Sequence, residues 1–257
     1  MQPLPQPVSS RRLRWFLALP KFGVALLLAA VVALLWLLHQ NELEEERASL
    51  IKDVLWLEQN LRFHLGNNEE QFQQLATDLG NQTDRKQLFR VRAKHLLKNN
   101  PDIAQIVWYD ARRQVIDALP AALPADSELD AFGPPVTHKA FELASRLSKR
   151  IYSEPFLLSG NTGHFALAVP VYNEREMTGM LVVNYSIEGL LNNLVPWWFA
   201  EKYRVVVVDD NDVQFGAKSN IQGVPSLSYE LPFEPPGYGL MFRVTSYQSA
   251  VNPLQRL

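Results

Sequence analysis

Residues 22–38 (FGVALLLAAVVALLWLL) form an unbroken apolar run, and nothing else in the chain is like it. At about 1.5 Å of rise per residue, a helix of this length approaches the thickness of a bilayer's hydrocarbon core. Extending the run back to residue 14 leaves room for tilt. Arg11, Arg12, Arg14 and Lys21 precede it, and Glu42, Glu44, Glu45 and Glu46 follow it. The excess of positive charge on one flank predicts a cytoplasmic N-terminus (1–13), a transmembrane helix (14–38) and an exterior from about residue 39. A cleaved signal peptide would need small residues just past the apolar core, and residues 37–41 (LLHQN) supply none. No second run of membrane length follows, so the chain is expected to cross the bilayer once.

Composition limits what the exterior can be. About 200 of the 257 residues follow the anchor, enough for one large or two small domains. A net charge of -2 gives no basic footprint for nucleic acid. With no cysteine, disulfides, thiol nucleophiles and cysteine metal sites are excluded. Neither a Gly-x-Ser-x-Gly elbow nor an HExxH motif is present. No catalytic residue, cofactor or metal site is therefore assigned.

The exterior begins as helix. Leu43, Leu50, Val54, Leu57 and Leu61 form a heptad-like seam, which predicts a stalk continuing from the membrane segment to about Gly66. Close to the membrane, the seam suits a homodimer contact. Separate helices are expected over 69–79, capped by Gly80, and over 85–97; the stalk and helical region together span 39–100. Strand patterns follow: 103–109 (IAQIVWY) with a return at 114–119 across a polar turn, a Pro-rich loop at 120–135, a helix over 136–150, and two apolar strands at 163–172 and 177–186. A short helix over 187–194 closes this module (101–196). A second module (197–248) repeats the theme, with strands at 203–209, 213–217, 227–233 and 239–247. Residues 249–257 would begin a second membrane segment or a tail. The fold class is α+β: a transmembrane helix running into a stalk, then two α+β modules with antiparallel sheets.

The stretch GHFALAVPVYNEREMTGMLVVNYSIEGLL, preceded by Ser153, Glu154, Pro155 and Phe156, resembles the end of the membrane-distal module of double Cache (double PDC/PAS-like) sensor domains. Residues 203–212 resemble the hairpin that opens the proximal module. Among these families the pattern is most similar to C4-dicarboxylate-sensor-like histidine kinases. The resemblance implies an extracytoplasmic sensor of a small solute, anchored in a bacterial inner membrane with a periplasmic exterior, that signals across the membrane through its helices. Sensors of chemoreceptors and diguanylate cyclases share the pattern, and a membrane-anchored protein-interaction domain is the rival class. For that rival, Trp197, Trp198 and Phe199 offer an apolar surface. None of the five histidines lies in a phosphoacceptor box, so any kinase core would lie outside this chain.

The resemblance also implies a pocket on one face of the distal sheet, under the helix at 136–150. Dicarboxylate-binding relatives place an arginine at the start of that helix and hydroxyl and lysine groups on the last strands. Here those positions fall on His138, Ala168 and Asn184, which disfavours a dianion and favours a mono-anionic or neutral polar solute. The candidate ligand-binding residues are Tyr109, His138, Tyr152, His164 and Asn184. The plain alternative is core or surface duty: a tyrosine burying its ring, or exposed histidines. Asn184, set in an apolar strand, needs a polar partner wherever it points.

Overall fold

The computed structural model describes residues 10–121, 135–158, 160–221 and 223–248. Most of the 120–135 loop, the 249–257 tail and the first part of the N-terminal segment lie outside them. Two compact units, Met1–Leu50 and Ile51–Leu257, make up the chain. Helix α1 spans Ser10–Asn81. In the first unit, large apolar side chains from Val24 to Leu37 are 45–68 % exposed. Among the described residues no helix is long and apolar enough to cross a membrane.

In the second unit, α1 buries Val54, Leu57, Leu61, Leu65, Phe72, Leu75 and Leu79 at steps of three, four and seven along one face. The helix expected to break at Gly66 does not. A helical glycine costs about 1 kcal/mol against alanine, less than the roughly 1.5–3 kcal/mol from burying one large apolar side chain. Gly80 is likewise inside the helix rather than capping it. Its missing Cβ serves a close approach, since an added carbon would lie 1.8 Å from the Tyr172 carbonyl oxygen. Helix α2 (Arg85–Asn99) starts at Asp84, whose carboxylate accepts from the Gln87 amide.

The strands of the expected distal module form a six-stranded antiparallel sheet. Its strands are β1 (Ile103–Asp110), β2 (Val115–Leu119), β3 (Ile151–Tyr152), β4 (Phe156–Leu158), β5 (Thr162–Asn173) and β6 (Glu176–Ser186), in the order β2-β1-β6-β5-β3 with β4 also paired to β5. Strands β5 and β6 are central and covered on both faces, which is why they read as continuous apolar runs instead of alternating ones. One face carries Ile106, Trp108, Phe165, Leu167 and Tyr185, with Phe89 of α2 5.7 Å from Trp108 between ring centroids. The other carries Val107, Tyr109, Ala166, Ala168, Met180 and Val182, packed with Ala140, Phe141 and Ala144 of helix α3 (Pro135–Leu147). Helix α3 stops short of the expected residue 150, as Ser148 turns to φ 54°.

Helices α4 (Ile187–Leu194) and α5 (Trp197–Lys202) lead into the proximal sheet. Its strands β7 (Tyr203–Val208), β8 (Gln214–Lys218), β9 (Val224–Pro232) and β10 (Met241–Gln248) lie in the order β8-β7-β10-β9. The sheets meet through backbone. A Cβ on Gly163 of β5 would lie 2.1 Å from the Phe215 carbonyl oxygen of β8, so only glycine allows this approach. Lys218 ties the same joint, donating to the carbonyls of Leu191, Asn192 and Val195 at the end of α4. Helix α5 was not anticipated, and it alters the expected aromatic surface. Phe199 is fully buried, Trp198 packs against Trp56 at 5.5 Å, and only Trp197 stays largely exposed.

Candidate functional site

Between α3 and the β1–β2 turn lies a cavity of about 260 Å³, lined by Tyr109, Arg112, Arg113, Thr137, His138, Phe141 and Val182. Its position follows from strand parity. Tyr109, next to last in β1, is on the α3 face, and Val182 of β6 is on the same face two strand positions from Asn184. Phe141 stands edge-on to Tyr109, with centroids 5.9 Å apart. These apolar groups make the inner wall, and the first turn of α3 supplies Thr137 and His138.

The turn supplies the charge. Asp110 shapes it by accepting from the main-chain N–H groups of Arg112 and Gln114, both at 2.8 Å. Arg113 sits over the Phe141 ring at 5.3 Å and donates to Glu142 at 2.9 Å. The Arg112 guanidinium enters no ion pair among the described residues. Burial pushes the Tyr109 phenol up to about 12, so it remains protonated and able to donate at neutral pH. The cavity thus combines an apolar floor, hydroxyl groups and an uncommitted guanidinium, a combination suited to a small carboxylate. Among the described residues, no group of three or more His, Asp or Glu side chains could hold a metal.

Of the five expected residues, Tyr109 and His138 line this cavity. Asn184 and His164 share its sheet face further along, but are not part of its lining. Asn184 finds its partner in Gln105, directly across on β1, at 3.5 Å; its Oδ1 has none among the described residues. His164 is buried and stacked on Phe156, and burial holds its imidazole below the ordinary range. Tyr152 lies on the opposite face. Its register with Leu167 turns the ring towards Phe165, 5.9 Å away between centroids. Burial pushes its phenol upward as well. Arg112 and Arg113 were read as turn residues. Two adjacent arginines on a hairpin next to an aromatic-bearing helix were the available signal.

A second polar cluster joins α1 to the distal sheet. Asp102, fully buried, accepts from His64 Nε2 at 2.9 Å and Asn193 Nδ2 at 3.1 Å. Further along α1, Asp53 accepts from the Tyr203 hydroxyl at 2.9 Å. Helix α1 is thereby hydrogen-bonded to residues of both modules.

No family model matches the chain. It is 26 % identical over 246 residues to the C4-dicarboxylate transport sensor protein DctS of Rhodobacter capsulatus, a match covering 96 % of this chain and 35 % of that protein. The chain therefore spans about a third of this relative's length, and the match bears out the resemblance to C4-dicarboxylate sensors. In structure it is similar to the ligand-binding domain of the amino acid chemoreceptor PctB of Pseudomonas aeruginosa PAO1, solved in complex with L-Arg. That likeness has a TM-score of 0.51 at 12 % identity, covering 78 % of this chain and 87 % of the other. At that identity it shows a shared fold.

Proposed function

We propose that this chain is the extracytoplasmic ligand-sensing part of a membrane-bound sensor kinase, and that the cavity under α3 receives a small solute bearing one carboxylate. The observation that carries the reading is the cavity itself, with Arg112 uncommitted beside Tyr109, Thr137 and His138. The match to DctS supports a sensor role, and the shared fold with a chemoreceptor's ligand-binding domain supports a solute as the signal. The volume of about 260 Å³ lies below the range typical of drug-sized ligands, which suits a small organic acid or amino acid. A dianion fits less well: Ala168, where dicarboxylate-binding relatives carry a hydroxyl, is buried among apolar side chains.

Residues 22–38 act in this reading as the membrane anchor. The exposed leucines and valines of that part of α1 would be covered by hydrocarbon, with the basic flank inside. Extraction of membranes with alkaline carbonate should leave the chain in the pellet, and its release into the supernatant would remove the anchor from the account. Ligand binding signals only if it favours one of two arrangements of α1, and the Asp102 and Tyr203 contacts give the helix a link to each module.

The binding step is tested by thermal shift on the full chain in mild detergent, against a panel of monocarboxylates, dicarboxylates and amino acids. At least one monocarboxylate should raise the midpoint, and Arg112→Gln should abolish that rise while leaving the unliganded midpoint within about 1 °C, as befits an exposed side chain. A stabiliser acting equally on Arg112→Gln would move the site elsewhere.

A further inference from the structure

Arg113, which lines the α3-face cavity, is paired with an acid, Glu142 of α3. Arg113 Nη2 donates to Glu142 Oε1 at 2.9 Å, and the same guanidinium lies 5.3 Å over the Phe141 ring. The ring and the carboxylate thus both hold the guanidinium. Arg113, then Arg146 and His138, hold the Glu142 carboxyl below the usual carboxylate range, so it is ionised at neutral pH. Two other charged groups here have partners among the described residues. Asp110 serves the turn amides, and Lys139 on α3 is paired with Glu154. Of the two turn arginines only Arg112 enters no ion pair among the described residues.

We infer that Glu142 selects ligands by charge: by occupying Arg113 it restricts this cavity to solutes with a single carboxylate and turns away dianions. A dianion could place one carboxylate on Arg112. Its second would then have to displace Glu142 from Arg113, or stand near that anion without a guanidinium of its own. Displacement is uphill because the intramolecular acid is already in place and stays there afterwards as a like charge, which is repulsive discrimination rather than missing attraction. A monocarboxylate asks nothing of Arg113. The inference rests on the proposed reading of this cavity as the ligand site, and adds a specificity-determining residue to it.

The test is calorimetric titration of the full chain in detergent with three matched pairs: propionate and succinate, lactate and malate, alanine and aspartate. Wild type should bind the monocarboxylate of at least one pair more tightly than its dicarboxylate partner. Glu142→Gln keeps the side-chain size, removes the charge and frees Arg113. Glu142 is 47 % exposed, so the variant is expected to fold normally. It should tighten the dicarboxylate of that pair about tenfold, the gain of roughly one charge-assisted hydrogen bond, and leave the monocarboxylate within about twofold. If Glu142→Gln leaves the ratio within a pair unchanged while Arg112→Gln still removes binding, the charge-selection inference fails and the ligand site stands. If neither wild type nor Glu142→Gln binds any of the six probes, both are overturned.

Discussion

Replacing Asp102 by alanine tests how firmly the long helix is tied to the sensing sheet. The carboxylate is fully buried and receives one hydrogen bond from His64 at 2.9 Å and one from Asn193 at 3.1 Å. Hydrogen bonds to a charged group contribute about 1.5–3 kcal/mol each, so the pair carries about 3–6 kcal/mol gross. Two corrections lower this. The His64 side chain is 17 % exposed and can turn partly to water, and removing a buried charge relieves its desolvation cost. A net loss of about 3 kcal/mol remains, because alanine removes both hydrogen bonds and leaves a space where the buried carboxylate stood, although the exposed Asn193 amide regains water. For a unit of this size that corresponds to a fall of about 6–12 °C in midpoint. Thermal unfolding of the full chain, followed by far-UV circular dichroism, reads it directly. A companion His64→Ala variant completes a double-mutant cycle, in which a coupling of at least about 1 kcal/mol is expected. A loss below about 1 kcal/mol, or strict additivity of the two substitutions, would refute the claim that this pair fastens α1 to the sheet.

The joint between modules and a buried histidine give two more outcomes. Gly163→Ala should destabilise the chain by about 3 kcal/mol, because the new carbon would meet the Phe215 carbonyl, which is backbone and cannot rotate away; an unchanged urea midpoint would show that the sheets separate freely there. His164 makes stability depend on pH. Burial lowers its folded-state pKa, so the unfolded chain takes up a proton first, and stability should fall as pH drops from 7.5 through the unfolded value of about 6.5. His164→Leu should flatten that part of the profile in midpoints measured at pH 7.5 and 5.5. An identical slope in the variant would assign the dependence to other groups.

The strands were legible wherever burial on both faces forces a chemical signature. β1, β5 and β6 announce themselves in IAQIVWY, GHFALAVPVY and MTGMLVVNYS because a central strand under two layers has no polar face to show. The helix passing through Gly66 was not legible, since the glycine's local cost is visible in the sequence and the compensating burial of Leu65 and Phe72 is tertiary. Tyr152 shows the same limit at the site. It lies on a two-residue strand, and only the pairing of Ile151 with Ala168 and Tyr152 with Leu167 decides which face it joins. Asn184 was rightly expected to need a partner, but only the β1–β6 register brings Gln105 opposite it. Arg112 and Arg113 carry the cavity's charge from a turn whose sequence is explained by turn chemistry alone; it is their packing beside Phe141 and Glu142 that gives them a second reading.

The central claim is that a small carboxylate binds under α3. Amide chemical-shift mapping tests it most directly, on the deuterated full chain in detergent, titrated with the monocarboxylate that stabilises it best. The account predicts saturable shifts concentrated at Tyr109, Arg112, Arg113, Thr137, His138, Phe141 and Val182, lost in Arg112→Gln. Saturable shifts centred elsewhere, or none from any monocarboxylate at millimolar concentration, would contradict it.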